Sequence, residues 1–224
     1  MNTNTKILET LEKEIAENTR YTGYEGLFSK TIEMLRANIR EEEAGKKGTK
    51  KPYKIIEKLL KSEPCKYNNA MQKAHPSANG YGFLDGYRVF FSDDTFGYEV
   101  AEEQNRFKML DNFKPVEGYT SIDINVEDLK YYIKVAKPRG KYGKYDPFII
   151  ETPDGIAGYN PLYLLDLIEY TGSNTIKYYG NKEPIYADNG KALLLPVNVS
   201  YSNTTYQEYR EKWFNEKQEG RTAA

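Results

Sequence analysis

GYNPLYLLDLIEYTGSNTIKYYGNKEPIYADNGKALLLPVNV, residues 158–199, reads as a capped helix followed by three short strands. Asn160 is a good N-cap residue, and Pro161 takes the first helical position, where a missing N–H costs nothing. Leu162, Leu165 and Ile168, with Leu164 and Leu167 beside them, form a wide apolar stripe at helical spacing. Asp166 and Glu169 are assigned to the outward side. Gly172 is the natural stop, because glycine adopts the left-handed conformation cheaply. Strands are expected over 175–179, 184–187 and 192–199, with turns at 180–182 and 188–190. Pro196 cannot donate to a ladder, so its position should lie at an edge or a bulge.

Upstream, residues 119–124 alternate as a strand, Asn125 can cap a helix over 126–137, and Pro138 ends it. Segments 147–151 and 156–159 flank Pro153-Asp154-Gly155, a hairpin signal. GYGFLDGYRVFF, residues 80–91, reads as two strands about the tight-turn pair Asp85-Gly86. Residues 93–118 are acidic and irregular, with a short helix near 102–110.

Residues 1–45 read as two amphipathic helices, on Ile7, Leu8, Leu11 and Ile15 and then on Leu27, Phe28, Ile32, Leu35 and Ile39. Two short helices cannot make a core unaided. Either they pack on their own domain or they form an oligomerisation or partner-binding arm. KKGTKK, 46–51, reads as a basic flexible joint. A third helix follows, with Pro52 at its start and Ile55, Ile56, Leu59 and Leu60 buried, and residues 62–79 read as loop. In the tail, 204–218, Tyr206, Tyr209, Trp213 and Phe214 recur at near-helical spacing, which predicts an amphipathic helix whose aromatic side docks. The expected organisation is a helical extension (1–50), an α+β domain (51–200) and a C-terminal amphipathic helix (201–224).

With 224 residues the chain can bury roughly 70% of its extended surface. Its 21 tyrosines predict half-exposed aromatics on sheet faces, because each buried hydroxyl needs a partner. A net charge of −1 gives no global field for nucleic acid or anionic membrane, so such binding must use local patches. The single cysteine, Cys65, excludes an intramolecular disulfide and fits a reducing cytoplasm. No apolar run approaches the ~20 residues of a membrane span, and the first residues lack signal-peptide character. A cytoplasmic protein is the default expectation.

Two places resemble the bacterial DNA sliding clamp, the β subunit of replicative DNA polymerase III: Phe83-Leu84-Asp85-Gly86-Tyr87-Arg88 and the 158–199 block. Between them SIDINVEDLKYYIKVAK looks like a further clamp half-unit, a strand followed by a helix. The similarity spans 80–199 and is closest to compact clamp-like proteins of phages and mobile elements of Firmicutes. It implies an α+β DNA-clamp-like domain, helices packed on antiparallel sheet, with helical extensions at both ends. It also implies a non-enzymatic scaffold that binds nucleic acid or a replication protein without sequence preference. The alternative is a protein-interaction module of a phage or mobile element that keeps the fold without DNA binding. The tail beyond Val199 exceeds a clamp's ending and would cover the groove that clamps offer to partner peptides. The first 50 residues have no clamp counterpart.

Lys130, Lys134 and Lys137 fall at i, i+4 and i+7 of the 126–137 helix, and Arg139, Lys141 and Lys144 continue the positive run. Six cations within 15 residues would contact several phosphates, and clamp helices offer such side chains to duplex DNA. The plain alternative is a solvated helix face followed by a basic loop. Lys46, Lys47, Lys50, Lys51, Lys54 and Lys58 form a second group, offset by Glu41–Glu43 and read as a solvated linker. Asp85, Gly86 and Arg88 are assigned to a structural turn, and Tyr209, Trp213 and Phe214 to a partner surface. The partners in view are duplex DNA, a replication or mobile-element protein, and further copies of the chain. His75, the single histidine, sits in a polar loop and is expected at the surface, without a nucleophile motif around it. Neither a metal site nor a phosphate-cradling glycine loop is readable, so no cofactor is expected.

Overall fold

The computed structural model of the chain describes residues 3–17, 25–102, 107, 110, 117–136, 145–187, 190–197 and 206–215, with 25–27 and 215 described by backbone alone. The N-terminal part is helical: α1 (Thr3–Glu17), α2 (Glu25–Lys46), α3 (Lys50–Leu60) and the single turn α4 (Glu63–Lys66). A 3-10 turn (Asn69–Gln72) leads into β1 (His75–Ser77), β2 (Gly80–Leu84) and β3 (Arg88–Ser92). Then come β4 (Thr120–Asp123), α5 (Val126–Val135), β5 (Phe148–Thr152), β6 (Gly155–Tyr159) and α6 (Pro161–Thr171). β7 (Thr175–Tyr178), β8 (Ile185–Ala187), β9 (Ala192–Leu194) and α7 (Tyr206–Arg210) follow, and α7 continues as a π turn over Glu211–Asn215.

Seven strands form one antiparallel sheet in the order β1-β2-β3-β9-β8-β7-β4, and β5 and β6 form a separate hairpin. The class is α+β. The expected unit at 158–199 is present with small changes at its ends. Asn160 Oδ1 accepts from the N–H groups of Leu162 (3.0 Å) and Tyr163 (3.3 Å). Gly172 closes α6 at φ 73°, its N–H bonded to Ile168 O at 2.9 Å. β9 is shorter than expected. It lies between β3 and β8, with Leu193 facing Val89 on one side and Tyr186 on the other. A central strand must donate on both edges, so it ends at Leu194, before Pro196. Val197 then bridges to Gly158 of β6.

The main core lies between the sheet and a helical layer. α6 packs against α3, α5 and the strands β3, β8 and β9. Phe83, Phe90, Ala192 and Leu194 face this layer, while Leu84, Val89, Phe91 and Leu193 point to the other face and meet Leu110. β2, β3 and β9 are therefore buried on both faces, which explains their nearly unbroken apolar runs.

Several expectations are corrected. The joint at 46–51 is only residues 47–49, held as a turn by Lys47 N→Glu43 O (3.0 Å) and Thr49 N→Ala44 O (2.8 Å). The 62–79 loop contains α4, the 3-10 turn and β1; Ser62 before Glu63-Pro64 was the helix-start signal. α5 stops at Val135, two residues early. The largest fully buried side chains include Tyr53, Tyr132 and Tyr159, so the aromatics also build the interior. Tyr53 Oη donates to Ala37 O (3.2 Å) and Tyr132 Oη to Asp146 O (3.2 Å), which satisfies two of these hydroxyls. The 102–110 helix falls mostly outside the described residues.

Candidate functional site

α5 begins where Asn125 Oδ1 accepts from Glu127 N and Asp128 N, both at 3.1 Å, with Glu127 and Asp128 in its first turn. Leu129 and Tyr132 are fully buried. That orientation leaves Lys130 and Lys134 exposed, one turn apart, with no ion-pair partner among the described residues. Glu127 is exposed three residues before Lys130 and offsets one charge. Lys137, Arg139, Lys141 and Lys144 lie outside the described residues, so the structure brings together two of the six cations.

The second basic group is not a free linker. Lys47 pairs with Asp94 (2.5 Å), Lys50 and Lys54 both with Glu41 (3.0 and 2.5 Å), and Lys58 with Asp166 (2.8 Å). Hydrogen bonds from Lys54 and Lys50 hold the Glu41 carboxyl below its ordinary range. Pairs made by exposed lysines add little to stability; Lys50 and Lys54 share one carboxylate, and Lys46 and Lys51 of the group stay exposed. A groove of about 1390 Å³ lies among α2, α3 and residues 97–99. Arg40 stacks over Tyr98 there at 4.4 Å. Its rim is likewise self-paired, Lys61 to Glu57 at 2.8 Å and Lys73 to Glu99.

Asp85, Gly86 and Arg88 do form the β2–β3 turn, with Gly86 at φ 84°. Asp85 Oδ1 accepts from Tyr87 N and Arg88 N, both at 3.1 Å, and Oδ2 accepts from Arg88 Nε at 3.0 Å. Arg88 Nη1 reaches on to Asp166 of α6, whose other oxygen takes Lys58 Nζ at 2.8 Å. Tyr163 covers the guanidinium, which sits 4.0 Å from the ring centroid. Burial pushes the Tyr163 hydroxyl above its ordinary pKa. Asp85, Arg88 and Asp166 are at most 4% exposed. The outward assignment of Asp166 is thus overturned, because α3 packs on that side of α6. The signal was available: apolar side chains run round nearly the whole girth of α6, and a helix of that kind is buried. With each carboxylate engaged by donors, the cluster can hold two layers together but offers no free base.

The tail aromatics also turn inward. Tyr209 is 7% and Phe214 6% exposed, both within the main core. Trp213 meets Tyr132 edge-on at 5.0 Å, and Tyr209 and Phe214 meet Phe148 at 6.3 and 6.5 Å. Arg210 ties the tail to α5 through Asp128 at 2.6 Å. Tyr209 and Phe214 therefore dock on their own domain, and Trp213 packs beside them half-buried.

His75 is fully buried, against the expected surface position. Its Nε2–H donates to Ala70 O at 2.7 Å, its Nδ1 has no hydrogen-bond partner among the described residues, and its ring meets Phe107 at 4.8 Å. Burial lowers its pKa. Cys65 is buried as well, its Sγ donating to Leu84 O at 3.5 Å, and burial raises its thiol pKa. Among the described residues no cluster of three or more His, Cys, Asp or Glu could hold a metal ion. No helix among them is long and apolar enough to cross a membrane.

No protein-family model matches the chain, and neither a curated protein nor a solved structure matches it.

Proposed function

We propose that the chain is a non-catalytic binding scaffold that touches nucleic-acid phosphates through the Lys130–Lys134 face of α5, as the sliding-clamp resemblance of residues 80–199 implies. The observation that carries the reading is this pair of exposed ammonium groups, fixed one turn apart on a helix backed by the core, while Lys47, Lys50, Lys54, Lys58, Lys61 and Lys73 are each engaged by a carboxylate of the chain. The buried side chains Asp85, Arg88, Asp128 and Asp166, each in a salt bridge, serve as structural ties. Such contacts position a backbone without reading bases, so binding is sequence-independent. Each phosphate neutralised adds about −0.9 to the slope of log affinity against log salt. The test is binding of an arbitrary labelled duplex across a salt series. Two such contacts give a slope of about −1.8, so affinity falls roughly tenfold for a fourfold rise in salt, and the double variant Lys130→Glu/Lys134→Glu abolishes it. Tight binding that survives both changes removes this surface from consideration.

A second reading, a protein-interaction module that keeps the fold without DNA contact, is favoured by one observation. α1 buries no residue, and Ile7 on its apolar stripe is 44% exposed. The tail aromatics pack largely inward, so this reading takes the N-terminal hairpin as the interaction surface.

A further inference from the structure

The turn over residues 94–98 is built on two successive left-handed residues, Phe96 (φ 50°) and Gly97 (φ 71°). Such a backbone is costly for phenylalanine and persists only where its surroundings fix it. Asp94 Oδ1 accepts from Phe96 N at 2.9 Å, Tyr98 N donates to Thr95 O at 3.0 Å, and Phe96 is buried in the main core. The turn forms a seat for Arg40 of α2. The guanidinium carbon lies 4.4 Å from the Tyr98 ring centroid, and a Cβ at residue 97 would press on Arg40 Cγ at 3.2 Å. Stem and head group are thus both held, in the lining of the groove of about 1390 Å³ among α2, α3 and residues 97–99.

Arg40 differs from the other cations around that groove. Arg36 is held by Glu12, Lys54 by Glu41, Lys61 by Glu57 and Lys73 by Glu99. Lys30 is exposed and has no such seat. Arg40 has no carboxylate partner among the described residues, and its Nε is shielded from water without a hydrogen-bond acceptor there. Its neighbour Tyr53 offers only a neutral hydroxyl, which already donates to Ala37 O at 3.2 Å. A donor left without an acceptor costs free energy that an incoming acceptor recovers.

We propose that Arg40 binds the carboxylate of a ligand lying in this groove. The planar fork of a guanidinium matches two carboxylate oxygens. Tyr98 and Gly97 hold the fork before the ligand arrives, so little side-chain freedom is lost on binding. A doubly charged phosphate fits less well, because Glu33, Glu41, Glu57 and Glu99 also line the groove and repel a dianion more than a monoanion. Met34, 57% exposed, and Leu60 give the body of the ligand apolar contact. Nothing in this site uses α5, so it stands or falls independently of nucleic-acid binding.

The test is titration of the full chain at neutral pH and constant ionic strength with three probes: sodium propionate, the blocked tripeptide acetyl-Ala-Glu-Ala-amide, and inorganic phosphate. The readout is the arginine Nε–Hε signals in nuclear magnetic resonance, with that of Arg40 identified by its loss in Arg40→Lys. Both carboxylates move the Arg40 signal saturably in the millimolar range, while the signal of Arg36, already held by Glu12, stays in place. Tighter binding of the tripeptide assigns the carboxylate to an acidic side chain of a partner, and tighter binding of propionate assigns it to a free acid; both outcomes support the site. Arg40→Lys keeps the charge but loses the fork, and it raises the dissociation constant read from the Tyr98 backbone amide at least tenfold. Tyr98→Phe keeps the stacked ring and leaves binding unchanged, whereas Tyr98→Leu weakens it several-fold, with circular dichroism checking the fold of each variant. A wild-type Arg40 signal indifferent to both carboxylates overturns the proposal whatever the variants do. So does phosphate binding more tightly than either carboxylate, or a folded Arg40→Lys that binds as well as the wild type.

Discussion

Arg88 of β3 and Asp166 of α6, 78 residues apart in the chain, share a buried hydrogen bond from Arg88 Nη1 to Asp166 Oδ2. Asp85 holds the same guanidinium from the turn, and Lys58 of α3 holds the other oxygen of Asp166. Four side chains from a turn, a strand and two helices thereby join the sheet to the helical layer. Asp166→Ala leaves Arg88 buried with one carboxylate, and breaking a buried pair in this way costs about 3–5 kcal/mol. Lys58→Ala removes a half-exposed partner and costs under about 1 kcal/mol. Urea unfolding of both variants gives the comparison; equal losses would mean that the Arg88–Asp166 link does not hold the layers together.

His75 makes stability depend on acidity. Folding holds the imidazole neutral by burying it, while the unfolded chain takes up a proton near pH 6.5. Between those two values the unfolded state binds more protons, so stability is full above about pH 6.5 and falls as the pH drops toward the folded-state value. The urea midpoint should decrease from pH 7.5 to 5.5. His75→Gln should flatten that dependence, whatever its own offset at pH 7.5. An unchanged slope in the variant would assign the acid sensitivity to other groups.

Trp213, the single tryptophan, reports on the tail. Because Tyr209 and Phe214 share the main core, the tail should unfold with it. Tryptophan fluorescence and far-ultraviolet circular dichroism are expected to give coincident urea transitions. Phe214→Ala should cost about 3 kcal/mol, the usual loss for a buried ring. An early fluorescence change with intact ellipticity would show a tail that peels away from a stable core.

The two ends of α6 separate side-chain from backbone effects. Asn160→Ala removes an acceptor shared by two backbone N–H groups and should lower stability by about 1 kcal/mol. At Gly172 a Cβ would meet nothing within 4 Å, so the cost of Gly172→Ala, again about 1 kcal/mol, comes from the left-handed backbone alone. Gly172→Asn should recover part of it, since asparagine tolerates that conformation.

Local chemistry explains which features were readable in the residue order. Asn160, Pro161 and Gly172 mark α6 because caps act over a few residues, and Asp85-Gly86 marks its turn for the same reason. The Lys130–Lys134 face follows from helical spacing and the buried Leu129 and Tyr132. What could not be read was what packs outside each element. Asp166 became an interior residue because α3, more than a hundred positions earlier, covers it. The tail aromatics became core because Phe148 and Tyr132 meet them. His75 became buried because a short strand and Phe107 enclose it. In each case the deciding neighbour lies elsewhere in the chain; only for Asp166 did the segment itself, apolar round nearly its whole girth, signal burial.

The place of β9 between β3 and β8 has a consequence for synthesis. The strands on either side of it leave the ribosome first, but the sheet has no middle until residues 192–194 emerge. Until then the apolar edge of β3 stays open, and closing it joins positions about a hundred residues apart. Such non-local closure is slow and exposes a sticky intermediate. Nascent chains stalled before residue 192 should therefore engage chaperones, and those stalled well beyond it should be released from them.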